Sequence, residues 1–171
     1  QRQMCIRDRG YAEIKDVEIV GVLSRNRDKA QAFAAQLGDV AGRAPAVVFG
    51  DLDELVAAKP HGVSLCTPSA THAELAGRLL QAGLPVLVEK PVVEDEDSFR
   101  KLQELESKSG WIMAGHTEAY QPSFLKIWAI LEKEGLGPVK SVEIRKSGRD
   151  ASPKADWRPS GPEGLYDHLV H

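Results

Sequence analysis

The sequence predicts an α/β fold: a doubly wound parallel sheet followed by the start of a second, α+β domain. Three observations carry this. Short β-branched runs alternate with amphipathic stretches of roughly ten to fifteen residues, the pattern of βαβ units. Caps and turn residues stand at the joints between them. One apolar run, Val86-Leu87-Val88, is followed at once by Glu89-Lys90-Pro91. A strand interior resists unpaired charge, so these charges emerge where the strand ends. In open parallel sheets ligands bind in the crevice beyond the carboxyl ends of the strands, which makes Lys90 the first catalytic candidate. The plain alternative is a solvated loop start. In either case Pro91 stiffens the turn.

The elements follow in order. Residues 1–10 show no period, strand run or cap, and are expected to be a non-native, adapter-derived segment; a genuine disordered terminus is the other reading. Tyr11 to Lys15 reads as the tail of a helix, and Val17 to Leu23 as a strand with Ser24-Arg25-Asn26 as its exit. Asn26 can cap a helix from Arg27 to Leu37, closed by Gly38. Its stripe is Ala30, Phe33, Ala34 and Leu37. Ala46 to Phe49 is a strand. Asp51 caps a helix through Ala58, and Pro60 ends it. Gly62 to Cys66 is a strand, Thr67-Pro68-Ser69 a turn, and Ala70 to Ala82 a helix stopped by Gly83.

After the Val86–Val88 strand, the run Glu94-Asp95-Glu96-Asp97 suits a helix amino end. That helix reaches Ser109 and stops at Gly110. Trp111 to Gly115 is a strand leading to His116, and Pro122 to Glu134 a helix with Phe124, Ile127, Trp128 and Leu131 on one side. The rhythm changes after Gly135-Leu136-Gly137-Pro138. Val139 to Lys146 alternates like a strand with one wet face, Ser147 to Gly161 is turn-rich, and Leu165 to His171 reads as helix. The expected organisation is therefore residues 11–120 as a nucleotide-binding domain and 121–171 as a linking helix and the beginning of a second domain.

The totals exclude several classes. With 171 residues, 42% hydrophobic and 27% charged, the chain reads as ordinary globular protein. A net charge of −3 gives no nucleic-acid signature. No apolar run approaches a membrane span. Cys5 and Cys66 lie far apart and form no metal pattern. A reducing cytoplasm is the expected compartment.

Other residues point to chemistry. The turn from Thr67 to His72 joins a strand to a helix, where backbone amides can hold an anion; an ordinary capped turn is the alternative. His116 follows a strand end, where a lone His commonly serves as a structural hydrogen-bonder. In a dinucleotide fold the end of the second strand meets the adenosine ribose: an acid there accepts the 2′-hydroxyl of NAD, and an Arg receives the 2′-phosphate of NADP. Here no acid follows the strand, and Arg25, Arg27 and Lys29 stand nearby. A generic basic loop is the alternative. Asp167 and His171 are four apart, so a helix would put both on one face; many solvated helix faces carry such a pair.

The strand order, the Cys66-Thr67-Pro68 to His72 turn, the stretch Gly83 to Pro91 and the late Asp167/His171 pair together resemble the Gfo/Idh/MocA family, over about residues 11–171. The resemblance implies a Rossmann domain joined to a larger α/β domain, and hydride transfer between NAD(P) and a hydroxyl-bearing carbon of a sugar or polyol. It implies Lys90, Asp167 and His171 as catalytic residues. Lys90 would hydrogen-bond the reacting oxygen, His171 would exchange the proton, and Asp167 would orient. It implies an NAD(P) cofactor, for which Arg25 and the missing acid favour NADP over NAD, held by Ser24, Arg25, Cys66, Thr67, Pro68, His72, Glu89, Lys90 and His116. It also implies a cis peptide before Pro91 and, for the whole protein, a homo-oligomer. The family's glycine-rich phosphate loop should precede Tyr11, and residues 1–10 do not supply it. Gly161-Pro162-Glu163-Gly164 only partly matches the family's entry to the Asp/His helix. The chain is therefore expected to be an internal fragment of an enzyme. The alternative is a non-catalytic dinucleotide-binding or regulatory protein of the same fold.

Overall fold

The computed structural model describes residues 10–11, 14–41, 44–133, 137–141 and 143. The chain divides into two units, Gln1–Ala114 and Gly115–His171. The first contains strands β1 (Gly21–Leu23), β2 (Val47–Phe49), β3 (Val63–Leu65), β4 (Val86–Val88) and β5 (Ile112–Ala114). Between them run helices α1 (Arg27–Ala41), α2 (Leu52–Ala57), α3 (His72–Gln81) and α4 (Glu96–Ser109). The second unit contains a 3-10 turn, Thr117–Tyr120, and helix α5 (Pro122–Lys133).

All strand pairs are parallel, as a chain of βαβ units demands. The single expected sheet is present as two pieces, β1-β2 and β3-β4-β5. In the doubly wound order the strand preceding β1 in the chain lies between those pieces; residues 1–9 fall outside the described ones. The pieces share one core. Leu23 and Phe49 pack against the buried cluster formed by Leu55, Leu65, Leu79, Leu80, Val86, Val88 and Leu102.

β1 is shorter than expected. Val17 to Val20 have the composition of a strand but lie outside β1. A strand extends only as far as its partner, and β2 offers three residues, paired Gly21 with Val47 through Leu23 with Phe49. Helix α1 is longer than expected. Asn26 accepts from the Lys29 amide at 2.9 Å as its cap, but the helix passes through Gly38 to Ala41. Gly38 is buried. An interior glycine costs about 1 kcal/mol relative to alanine, which continued hydrogen bonding of an existing helix offsets.

Helix α2 is capped by Asp51, which accepts from the Glu54 amide at 2.8 Å. Pro60 disfavours a helical residue before it, and Lys59 takes φ 49°. Helix α3 ends in a Schellman turn. The Gly83 amide donates to the Leu80 carbonyl at 2.8 Å, and the Leu84 amide to the Leu79 carbonyl at 3.0 Å. Gly83 has φ 75°, where a side chain would be strained. The turn buries Leu84 and delivers the chain into β4.

In the second unit α5 agrees with its sequence pattern in extent, yet Phe124, Leu125, Ile127, Trp128 and Ile130 are exposed. Val139 to Ser141 and Glu143 form no strand; the rest of the strand expected over 139–146 lies outside the described residues. So does the segment from 147 to 171, with Asp167 and His171.

Two predictions follow from local contacts. A Cβ on Gly21 would lie 2.2 Å from the Phe49 ring and 2.9 Å from the Val47 carbonyl oxygen. Gly21→Ala should lower stability by about 1–3 kcal/mol, as overpacking does; an unchanged thermal midpoint would refute this. Asp95 caps α4, accepting from the Ser98 amide at 2.8 Å and the Ser98 hydroxyl at 2.7 Å. The amide first, and then the hydroxyl, holds its carboxyl below the usual 3.8. A lowered folded value stabilises the chain above the unfolded carboxylate range and fades as pH falls through the folded value. An NMR titration should put the Asp95 midpoint below that of an unfolded-chain aspartate, and Asp95→Asn should remove this part of the acid sensitivity.

Candidate functional site

Helix α3 and strands β3 and β4 build the site. Leu65 pairs with Val88, the last residues of β3 and β4. The two chains therefore leave the sheet side by side, one as Cys66-Thr67-Pro68 and the other as Glu89-Lys90-Pro91. The Glu89 amide donates to the Leu65 carbonyl at 2.9 Å, extending the ladder one bond past the strands. This places Glu89 and Lys90 at the carboxyl rim, both half-buried. The Lys90 amide lies 3.2 Å from Glu89 Oε2. The Lys90–Pro91 peptide is cis.

The opposite loop is ordered by its own hydroxyls. Thr71 Oγ1 lies 2.8 Å from Thr67 Oγ1 and 2.7 Å from the Pro68 carbonyl oxygen. These contacts close a 3-10 turn, Ser69–Thr71, ahead of α3. Cys66 is half-buried, with Sγ 3.6 Å from Ser64 Oγ. At the surface the Ser69 hydroxyl donates to Glu94 Oε1, joining the two loops. Sequence patterning assigned Glu94 to an acidic helix start. Its pairing is a tertiary contact across 25 residues, with no local signal.

His72 is placed differently from the expectation of a cofactor contact. Its ring is 1% exposed. Nδ1 lies 2.8 Å from the Pro91 carbonyl oxygen and Nε2 2.7 Å from the Thr67 carbonyl oxygen. Both nitrogens thus face backbone, and the ring presents neither to a ligand.

Ser24 and Arg25 leave the carboxyl end of β1, exposed. Ser24 Oγ accepts from the Asn26 amide at 3.3 Å, and Asn26 is engaged in capping. Arg25 and Arg27 are the charged residues of this exit, with no carboxylate among residues 24–27. His116, in the second unit, is exposed and precedes the Thr117–Tyr120 turn. Among the described residues no cluster of three or more His, Cys, Asp and Glu is placed to hold a metal. No helix there is long and apolar enough to cross a membrane.

Parallel strands with helical crossovers, a carboxylate and an ammonium at one strand end and an arginine at another define a Rossmann-type nucleotide-binding unit. The chain belongs to the Gfo/Idh/MocA family, described as an oxidoreductase family with an NAD-binding Rossmann fold, whose pattern it matches over residues 7–116. It is 28% identical over 159 residues to an inositol 2-dehydrogenase of Rhizobium meliloti, covering 91% of this chain and 45% of the relative. It is 32% identical over 105 residues to a D-glucoside 3-dehydrogenase of Escherichia coli, covering 61% and 28% respectively. Among solved structures it resembles GenD2 from gentamicin A biosynthesis in complex with NAD, with TM-score 0.63 and 26% identity, over 76% of this chain and 36% of that one. The chain thus spans less than half the length of these relatives.

Proposed function

We propose that the whole protein is an NADP-preferring oxidoreductase acting on a hydroxyl-bearing carbon of a sugar or polyol. The observation that carries this reading is Lys90 at the carboxyl end of β4, beside the β3 loop, in a chain of this family. The names of the relatives, inositol 2-dehydrogenase and D-glucoside 3-dehydrogenase, support a polyol or sugar substrate.

The residues fit a nicotinamide dinucleotide. The exit of β1 exposes a guanidinium and no carboxylate, which suits a 2′-phosphate better than a free ribose hydroxyl. The Cys66-Thr67-Pro68 loop, Glu89 and His116 would line the cofactor, which when bound supplies the hydride acceptor. Lys90 would donate a hydrogen bond to the substrate oxygen and stabilise the charge that develops there. His171 would take the hydroxyl proton, since an imidazole titrates near the working pH. Asp167, four residues earlier in the sequence, would orient that ring. The same reading places the protein in the cytoplasm and the whole protein as a homo-oligomer.

The test uses the protein expressed from its complete coding sequence. Lys90→Met should lower kcat by about 10²–10³-fold, the cost of losing one preorganised donor, with NADPH affinity within about threefold. Turnover equal to that of the unsubstituted protein would defeat the assignment. Arg25→Ala should weaken NADP relative to NAD by about 10–100-fold, the worth of one charge-assisted contact. Tighter binding of NAD than of NADP by the unsubstituted protein would overturn the cofactor preference.

A further inference from the structure

His72 is the buried polar side chain of the described core. It opens α3 and is buried there. Burying an imidazole costs free energy unless its nitrogens find partners. Both partners here are backbone carbonyls of the two loops that leave β3 and β4: Thr67, two residues past Leu65, and Pro91, three past Val88. A carbonyl oxygen only accepts, so each tie requires a hydrogen on its own ring nitrogen, Nδ1 toward Pro91 and Nε2 toward Thr67.

Thr71 Oγ1 also holds the first loop through Thr67 and Pro68, and Val92 and Val93 pack the second against the core; His72 is the side chain that bonds to the backbone of both. The Glu89–Leu65 bond continues the sheet, and the Ser69–Glu94 bond lies at the surface. Pro91 follows Lys90 directly. Anchoring the Pro91 carbonyl therefore fixes the backbone from which the Lys90 side chain departs. A flexible four-carbon stem reaches one place reproducibly only if its backbone is held.

We propose that His72 is a positioning residue for Lys90, acting as a strut that ties the Pro91 carbonyl to the Thr67 loop. The inference rests on the reading of Lys90 as the group facing the substrate oxygen. The Nδ1 arm carries the function, and the Nε2 arm anchors the ring to the neighbouring loop.

Three measurements test the strut. In the unsubstituted chain without cofactor, nitrogen NMR should find a hydrogen on both ring nitrogens of His72; a bare Nδ1 or a bare Nε2 would break one arm and overturn the proposal without any variant having to fold. In the full-length protein, His72→Asn keeps a donor near the Nδ1 position, and His72→Gln keeps one near Nε2. His72→Gln should lower kcat by about 10–100-fold, as a misplacement of about 1 Å does, and speed hydrogen exchange over residues 89–93. His72→Asn should stay within about threefold of the parent in both. Equal losses in the two variants at equal thermal midpoints would mark His72 as merely structural and sink the proposal. Full turnover in Lys90→Met would instead defeat the reading of Lys90. The ring protonation and exchange results would then still judge the strut by themselves.

Discussion

The parallel pairing of β4 between β3 and β5 is the constraint on which the rest of the site depends. Val86 and Val88 are fully buried in the middle of that trio. Burying such side chains contributes on the order of 1.5–3 kcal/mol each, enough to hold the strand against the cost of ending it with two charges. Because the strands are parallel and in register, their carboxyl ends share one rim. Glu89 and Lys90 stand there because Val88 pairs with Leu65. A shift of one residue would turn the buried face outward and remove the charges from the rim.

Helix α3 serves this arrangement from both of its ends. At its carboxyl end, the turn through Gly83 and Leu84 returns the chain to β4 in the correct register. At its amino end, His72 reaches into the two loops that β3 and β4 release. Leu79 and Leu80 lie fully buried between these points. Packing and site geometry are therefore set by one helix. Disturbing its core contacts would move the rim as well as weaken the fold.

Much of this was legible in the residues. Val86-Leu87-Val88 announced a buried strand, and Asn26, Asp51 and Gly83 marked helix boundaries to within a residue or two. These signals are local: a cap or a left-handed turn is decided by a few neighbouring atoms. Gly38 misled because a helix already under way tolerates a glycine. Val17 to Val20 misled because strand composition does not tell where the partner strand ends. His72 carried the same letter in either role. A turn histidine that touches a ligand and one that braces two loops differ only in what surrounds them.

The sequence by itself determined the α/β class, the order of elements, the family, and the emergence of Lys90 at a strand end, because periodicity, caps and the strand-then-charge pattern are written in neighbouring residues. Tertiary structure alone decided that Ser69 meets Glu94 and that both nitrogens of His72 turn inward onto the Thr67 and Pro91 carbonyls. The Ser69–Glu94 and His72–Pro91 contacts join residues 25 and 19 positions apart, where packing settles the partner and no local pattern specifies it.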